Sequence, residues 1–134
     1  MSQVTIIDVM ASARASLNAE DLDVGCVGSG PAVVLVHGSV VGARRTWRHQ
    51  LALAEQWSLH LPNRPGFGTS PPLPRGDFER EAPLIAELLG DGAHLVGHSY
   101  GAVIALYAAA LRPARGALAH GVRARLPESC RRRS

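Results

Sequence analysis

At 134 residues the chain is one domain at most. It is 46% hydrophobic, but its longest apolar run, 102–111, is too short to cross a bilayer, which excludes a membrane-spanning reading. The formal charge of +3 is unevenly placed: residues 1–111 carry 7 Arg and 10 acidic residues, net −3, whereas 112–134 carry 7 Arg and one Glu, net +6. The basic balance is therefore a property of the tail. Its arginines have no aromatic residues among them and no helical or strand period, so nucleic acid is not expected as a partner and 112–134 reads as a disordered, Arg-rich end to a domain at 1–111. The first twenty residues lack a charged start followed by an apolar core, so no leader is expected and a cytoplasmic location is the default. Cys26 and Cys130 have neither metal-ligand nor redox-motif spacing, and no metal or cofactor is expected.

In chain order, residues 1–21 carry the weakest pattern; 4–9 read as an edge strand pairing with a second at 22–27. Gly25, Gly28 and Gly30 precede a strand rather than follow one, which excludes a dinucleotide-binding turn. Residues 31–38 form an unbroken apolar run ending in a turn residue, the pattern of a parallel strand buried on both faces. A helix is expected from about Thr46 to Gln56, and a second strand over 57–61. A loop dense in Pro and Gly follows, 62–76. Phe78, Ala82, Ile85, Leu88 and Leu89 then recur at helical spacing, with Asp77 as cap. Pro83 belongs in a first turn, so the regular helix is expected to begin nearer Ala82. Gly90-Asp91-Gly92 ends it, and a third strand over 93–96 leads to Gly97-His98-Ser99-Tyr100-Gly101 and an Ala-rich helix. Alternation of this kind predicts an α/β fold with a mostly parallel sheet and flanking helices.

The pentapeptide is a G-x-S-x-G set between a strand and a helix, the context in which it means a nucleophilic serine. The glycines let the chain reverse without side-chain clash, and the serine at the apex is forced into a strained, exposed conformation at a helix N-terminus. Backbone N–H groups there can stabilise a developing oxyanion.

With Leu35-Val36-His37-Gly38-Ser39, Asn63-Arg64-Pro65-Gly66-Phe67-Gly68-Thr69-Ser70 and His94-Leu95-Val96-Gly97-His98-Ser99-Tyr100-Gly101 in this order, the chain resembles the α/β-hydrolase superfamily over roughly 22–113. The resemblance implies a nucleophile at Ser99, an elbow built by Gly97, His98 and Gly101, and an oxyanion hole from the N–H of Tyr100 with that of Ser39 or Val40. It implies a structural role for His37, and a small ester-like or acyl substrate.

A serine of this kind needs a base and an orienting acid, which in the family follow it in the order Asp or Glu, then His. After the elbow helix the chain offers only His120 and Glu128, in the reverse order. The expectation is a truncated member, an incomplete α/β-hydrolase fold ending after the elbow helix. Codons compatible with 114–125, read one base later, resemble the strand that follows that helix in the family, so the tail reads as a shifted frame. Two functional readings stay open: a serine hydrolase by resemblance, inactive as written, and a non-catalytic fragment or interaction module that self-associates through an exposed sheet edge.

Overall fold

The computed structural model describes residues 17–112. Its strands are β1 (Val24–Val27), β2 (Ala32–Val36), β3 (Ser58–Pro62) and β4 (His94–Gly97), and its helices are α1 (Ala43–Thr46), α2 (Phe78–Leu88) and α3 (Tyr100–Leu111). The sheet order is β1-β3-β2-β4, with β2 parallel to both β3 and β4, and β1 antiparallel to β3. The α/β class and the mostly parallel sheet follow the sequence pattern.

Strand β2 is the centre of the molecule because both its faces are covered. Successive side chains of a strand point to opposite faces. Val34 and Val36 enter one core with Ala82, Ile85, Leu88 and Leu89 near α2 and with Ile104 and Ala108 of α3. Leu35 enters the other core, with Leu59 and Leu61 of β3, Ala43 and Trp47. An apolar run without alternation is what this double burial requires.

Two expectations are corrected. The helix expected over 46–56 is instead α1 followed by a 3-10 helix, Gln50–Glu55. The start is moved forward by Asn63, whose Oδ1 accepts the Ala43 N–H at 3.0 Å. Beyond Trp47 the core-facing residues are Leu51, Ala54 and Trp57. Their spacing of three is eclipsed in a 3-10 helix and drifts off the face of an α-helix. The second correction concerns α2, which begins at Phe78 and not near Ala82. Asp77 fixes the start by accepting the Arg80 N–H at 2.9 Å. Pro83 lies on the exposed face, where water can reach the Glu79 carbonyl that it leaves without an N–H.

Strand β1 pairs with β3. The strand expected at 4–9, the Arg-rich tail from 113 onward and the suggested frame change lie outside the described residues, as does Cys130. Among the described residues, β4 pairs on one side only. Near that open edge Val96 is 41% exposed, and α3 turns Leu106, Tyr107 and Leu111 outward, at 72%, 46% and 55% exposed. No helix among the described residues is long and apolar enough to cross a membrane.

Two histidines are buried in this frame, His37 after β2 and His60 in β3. Burial pushes both imidazoles below their ordinary value of 6.5. In His37 the Gly38 carbonyl opposes that shift and the Arg64 charge adds to it. A depressed histidine binds fewer protons folded than unfolded, so it contributes stability above 6.5 that is lost as pH falls through that value towards the folded pKa. Glu81, pushed above its ordinary 4.5 by burial, works in the opposite sense at lower pH. The unfolding free energy, and with it the melting temperature, is expected to drop as the pH falls from about 7.5 to about 5.5, the free energy by at most about 1.4 kcal/mol per pH unit for each histidine. His60→Gln should flatten that slope; an unchanged slope would show that His60 does not contribute.

Candidate active site

Ser99 is the one described non-glycine residue with positive φ, at φ 56 and ψ −125. Side chains avoid this region because Cβ crowds the backbone, and a residue persists there only when its surroundings over-determine it. Here they do. The turn is hydrogen-bonded on both sides, by His98 N–H to the Val36 carbonyl at 3.0 Å and by Gly101 N–H to the His98 carbonyl at 2.9 Å. A Cβ on Gly97 would lie 2.5 Å from the Gly101 carbonyl oxygen and 2.6 Å from the Ala102 Cα. A Cβ on Gly101 would run into the carbonyl oxygens of Val36 and His37. Both glycines are thus required by backbone approaching backbone. Ser99 occupies the N-cap of α3, is exposed, and does not spend its hydroxyl on capping the helix.

The loop after β2 comes directly against this apex. A Cβ on Gly38 would be 3.2 Å from the Ser99 Cβ. Ser39 and Val40 follow on the surface, Val40 being 91% exposed. His37, fully buried, has a fixed tautomer: Nδ1 lies 2.7 Å from the Gly38 carbonyl, which can only accept, so Nδ1 carries the proton. Nε2 is left to accept the Arg64 N–H at 2.9 Å. His37 is a neutral strut between two loops, as the sequence reading expected.

The loop over 63–70 is buttoned down by Asn63, Asp23 and Ser70. Asn63 Nδ2 donates to Asp23 Oδ2 at 3.0 Å, the Asp23 N–H donates to Ser70 Oγ at 2.9 Å, and Ser70 Oγ donates to the Asn63 carbonyl at 2.7 Å. Gly66 and Gly68 supply the positive φ of 85 and 53 that the turns need.

The described geometry matches what three kinds of comparison find. The family model described as "Alpha/beta hydrolase family" matches residues 33–133. The chain belongs to the alpha/beta hydrolase family. It is similar to a pimeloyl-[acyl-carrier protein] methyl ester esterase of Chromobacterium violaceum, 39% identical over 93 residues that make up 69% of this chain and 37% of that one. It is also similar to epoxide hydrolase 2 of Siraitia grosvenorii, 32% identical over 109 residues, 75% of this chain and 34% of that one. Among solved structures, an alpha/beta hydrolase from Sphaerobacter thermophilus superposes with a TM-score of 0.61 at 32% identity, over 68% of this chain and 37% of that chain. The chain spans about a third of the length of the curated relatives it matches.

Within this hydrolase frame the structure brings Ser99, Gly97, His98, Tyr100 and Gly101 to one end of the sheet, with Gly38 against them. No described histidine is hydrogen-bonded to Ser99, although His98 Nδ1, like Ser99, comes close to Gly38: a Cβ there would lie 3.5 Å from it. His98 packs its ring edge-on to Trp47, with centroids 6.4 Å apart, and both ring nitrogens of His37 are engaged. His120 and Glu128 lie outside the described residues.

Two residues escaped the sequence reading. Arg64 and Glu81 are 6% and 3% exposed and form a buried ion pair. Arg64 Nε and one terminal nitrogen reach Glu81 Oε2 at 3.2 and 3.0 Å. A signal for Glu81 was present: it shares a helical stripe with Ile85 and Leu88, at i, i+4 and i+7. Arg64 lies on no such stripe; in the sequence it stands only as part of the block 63–70, with nothing there to show that it is buried.

Gly101→Ala should destabilise the fold by about 1–3 kcal/mol or more, because the added methyl meets carbonyl oxygens of a central strand that cannot give way. A denaturant midpoint measures it, and a neutral result would mean that α3 does not sit against β2 as described.

Proposed function

We propose that this chain carries the nucleophile and oxyanion half of a serine hydrolase acting on an ester-like or other acyl small molecule. The observation that carries the reading is the backbone of Ser99, held at φ 56 and ψ −125 at a helix N-terminus. Strain of this kind is kept where it serves a site. In this reading Ser99 is the nucleophile, and the N–H groups of Tyr100 and of Ser39 or Val40 receive the negative charge that develops on the acyl oxygen. The Ser99 oxygen bonds to the acyl carbon while a base takes its proton. The tetrahedral intermediate then expels the alcohol, which recovers a proton, and water releases the acid from the acyl-enzyme. Among the described residues no side chain is hydrogen-bonded to the Ser99 hydroxyl, so this reading takes the base from residues outside 17–112, which include His120.

The relatives' names divide between esterases and epoxide hydrolases. The hydroxyl at the apex favours the acyl reading for this chain. A serine oxygen opening an epoxide would form an ether, which water does not cleave under these conditions, whereas its attack on an ester forms a new ester that water can hydrolyse.

A fluorophosphonate probe tests this, since the Ser99 oxygen would bond to phosphorus with loss of fluoride only if a base accepts the proton. Labelling of the folded chain should be confined to Ser99 and abolished by Ser99→Ala. A folded chain that stays unlabelled would overturn the catalytic reading.

A second reading, an interaction module, is favoured by the open edge of β4 and the outward apolar side chains of α3, since an unpaired apolar edge is a template for association. In this reading the chain self-associates through that edge. Light scattering should then show oligomers that Leu106→Lys shifts towards monomer; a wild-type monomer would exclude it.

A further inference from the structure

The buried pair Arg64–Glu81 lies outside the set of residues that perform the proposed chemistry, yet it is bonded to the carbonyl of the peptide whose N–H would receive the oxyanion. One terminal nitrogen of Arg64 donates to the Gly38 carbonyl at 2.9 Å, and the same nitrogen lies 3.5 Å from Ser39 Oγ. The Gly38 carbonyl also accepts from His37 Nδ1 at 2.7 Å. That carbonyl belongs to the Gly38–Ser39 peptide. No described peptide is cis, and in a trans peptide C=O and N–H point in opposite directions. Two donors on the carbonyl therefore turn the Ser39 N–H away from Arg64 and His37. The guanidinium also stacks over the Tyr100 ring, its central carbon 4.8 Å from the ring centroid. Tyr100 carries the second N–H of the proposed hole. Glu81, from α2, holds the other side of the guanidinium in a forked contact.

We propose that Arg64, seated by Glu81, is the positioning residue of the oxyanion hole: it fixes the Gly38–Ser39 peptide so that the Ser39 N–H faces the space above Ser99, and it ties that peptide to Tyr100. The proposal rests on the serine-hydrolase reading for its meaning, but the orientation of the peptide can be measured without any activity. The fork geometry is what makes arginine suited to the task, because one planar group serves the carboxylate and the carbonyl together.

Removing Arg64 alone leaves a buried, unpaired carboxylate, and such a chain can fail to fold. The test therefore compares wild type, Arg64→Met, and the double variant Arg64→Met with Glu81→Leu, in which the pair is replaced by apolar groups of similar volume and folding is retained. Amide hydrogen exchange over 37–42 and the fluorophosphonate labelling rate at Ser99 are read alongside the melting temperature. A purely structural role for the pair requires the double variant to match wild type in all three. The positioning role requires the double variant to keep the melt, to exchange at least about 10-fold faster over 37–42 with β2 and α2 protection unchanged, and to label Ser99 about 100-fold more slowly. Wild-type exchange over 37–42 in the folded double variant overturns the proposal. If wild type itself is not labelled, the serine-hydrolase reading fails, and the exchange data alone decide whether Arg64 orients the peptide.

Discussion

The contact on which the rest depends is the seating of the elbow on the end of β2. The His98 N–H bonds to the Val36 carbonyl, and Gly101 presses its backbone against the carbonyls of Val36 and His37. Any side chain at Gly101 would push α3 off the sheet. Because the helix is held this close, its first turn begins directly above the end of β2, and of the two residues that join β4 to α3, His98 and Ser99, the second has no room for ordinary dihedral angles. The strain at Ser99 is thus a consequence of helix and strand being packed backbone to backbone.

The loops around that apex are organised from the same strand. His37 leaves β2 as a neutral imidazole and spans from the Gly38 carbonyl to the Arg64 N–H. Arg64 returns to the Gly38 carbonyl and reaches Glu81 on α2. Asn63 beside it accepts the first N–H of α1. Two loops far apart in sequence are in this way joined by side chains that satisfy backbone groups, as buried polar groups require. The site is held by polar contacts above the sheet and by apolar packing on its two faces, and each kind of contact fixes what the other leaves free.

Much of this was legible in the chain. The double burial of β2 is written in its unbroken apolar run, and the elbow is written in two glycines, since only glycine permits the approach that the turn needs. Asp77 announced the start of α2 correctly, although Pro83 suggested a later one; a satisfied cap and a buried face outweighed the exposed proline. The 3-10 helix after Trp47 was also readable in principle, from the spacing of Leu51, Ala54 and Trp57.

What the sequence determined by itself is local: where strands and helices lie, that their alternation makes a parallel sheet, and that a serine stands at a strand-to-helix turn. These follow from periodicity and from backbone sterics, which act over a few residues. Only the tertiary structure decided that Arg64 and Glu81, seventeen positions apart, are buried together against the Gly38 carbonyl. A charged residue is placed inside only by a partner, and the partner is chosen by how α2 and the 63–70 loop fold over the end of β2. That choice is a matter of distance in space, which no local pattern of residues encodes.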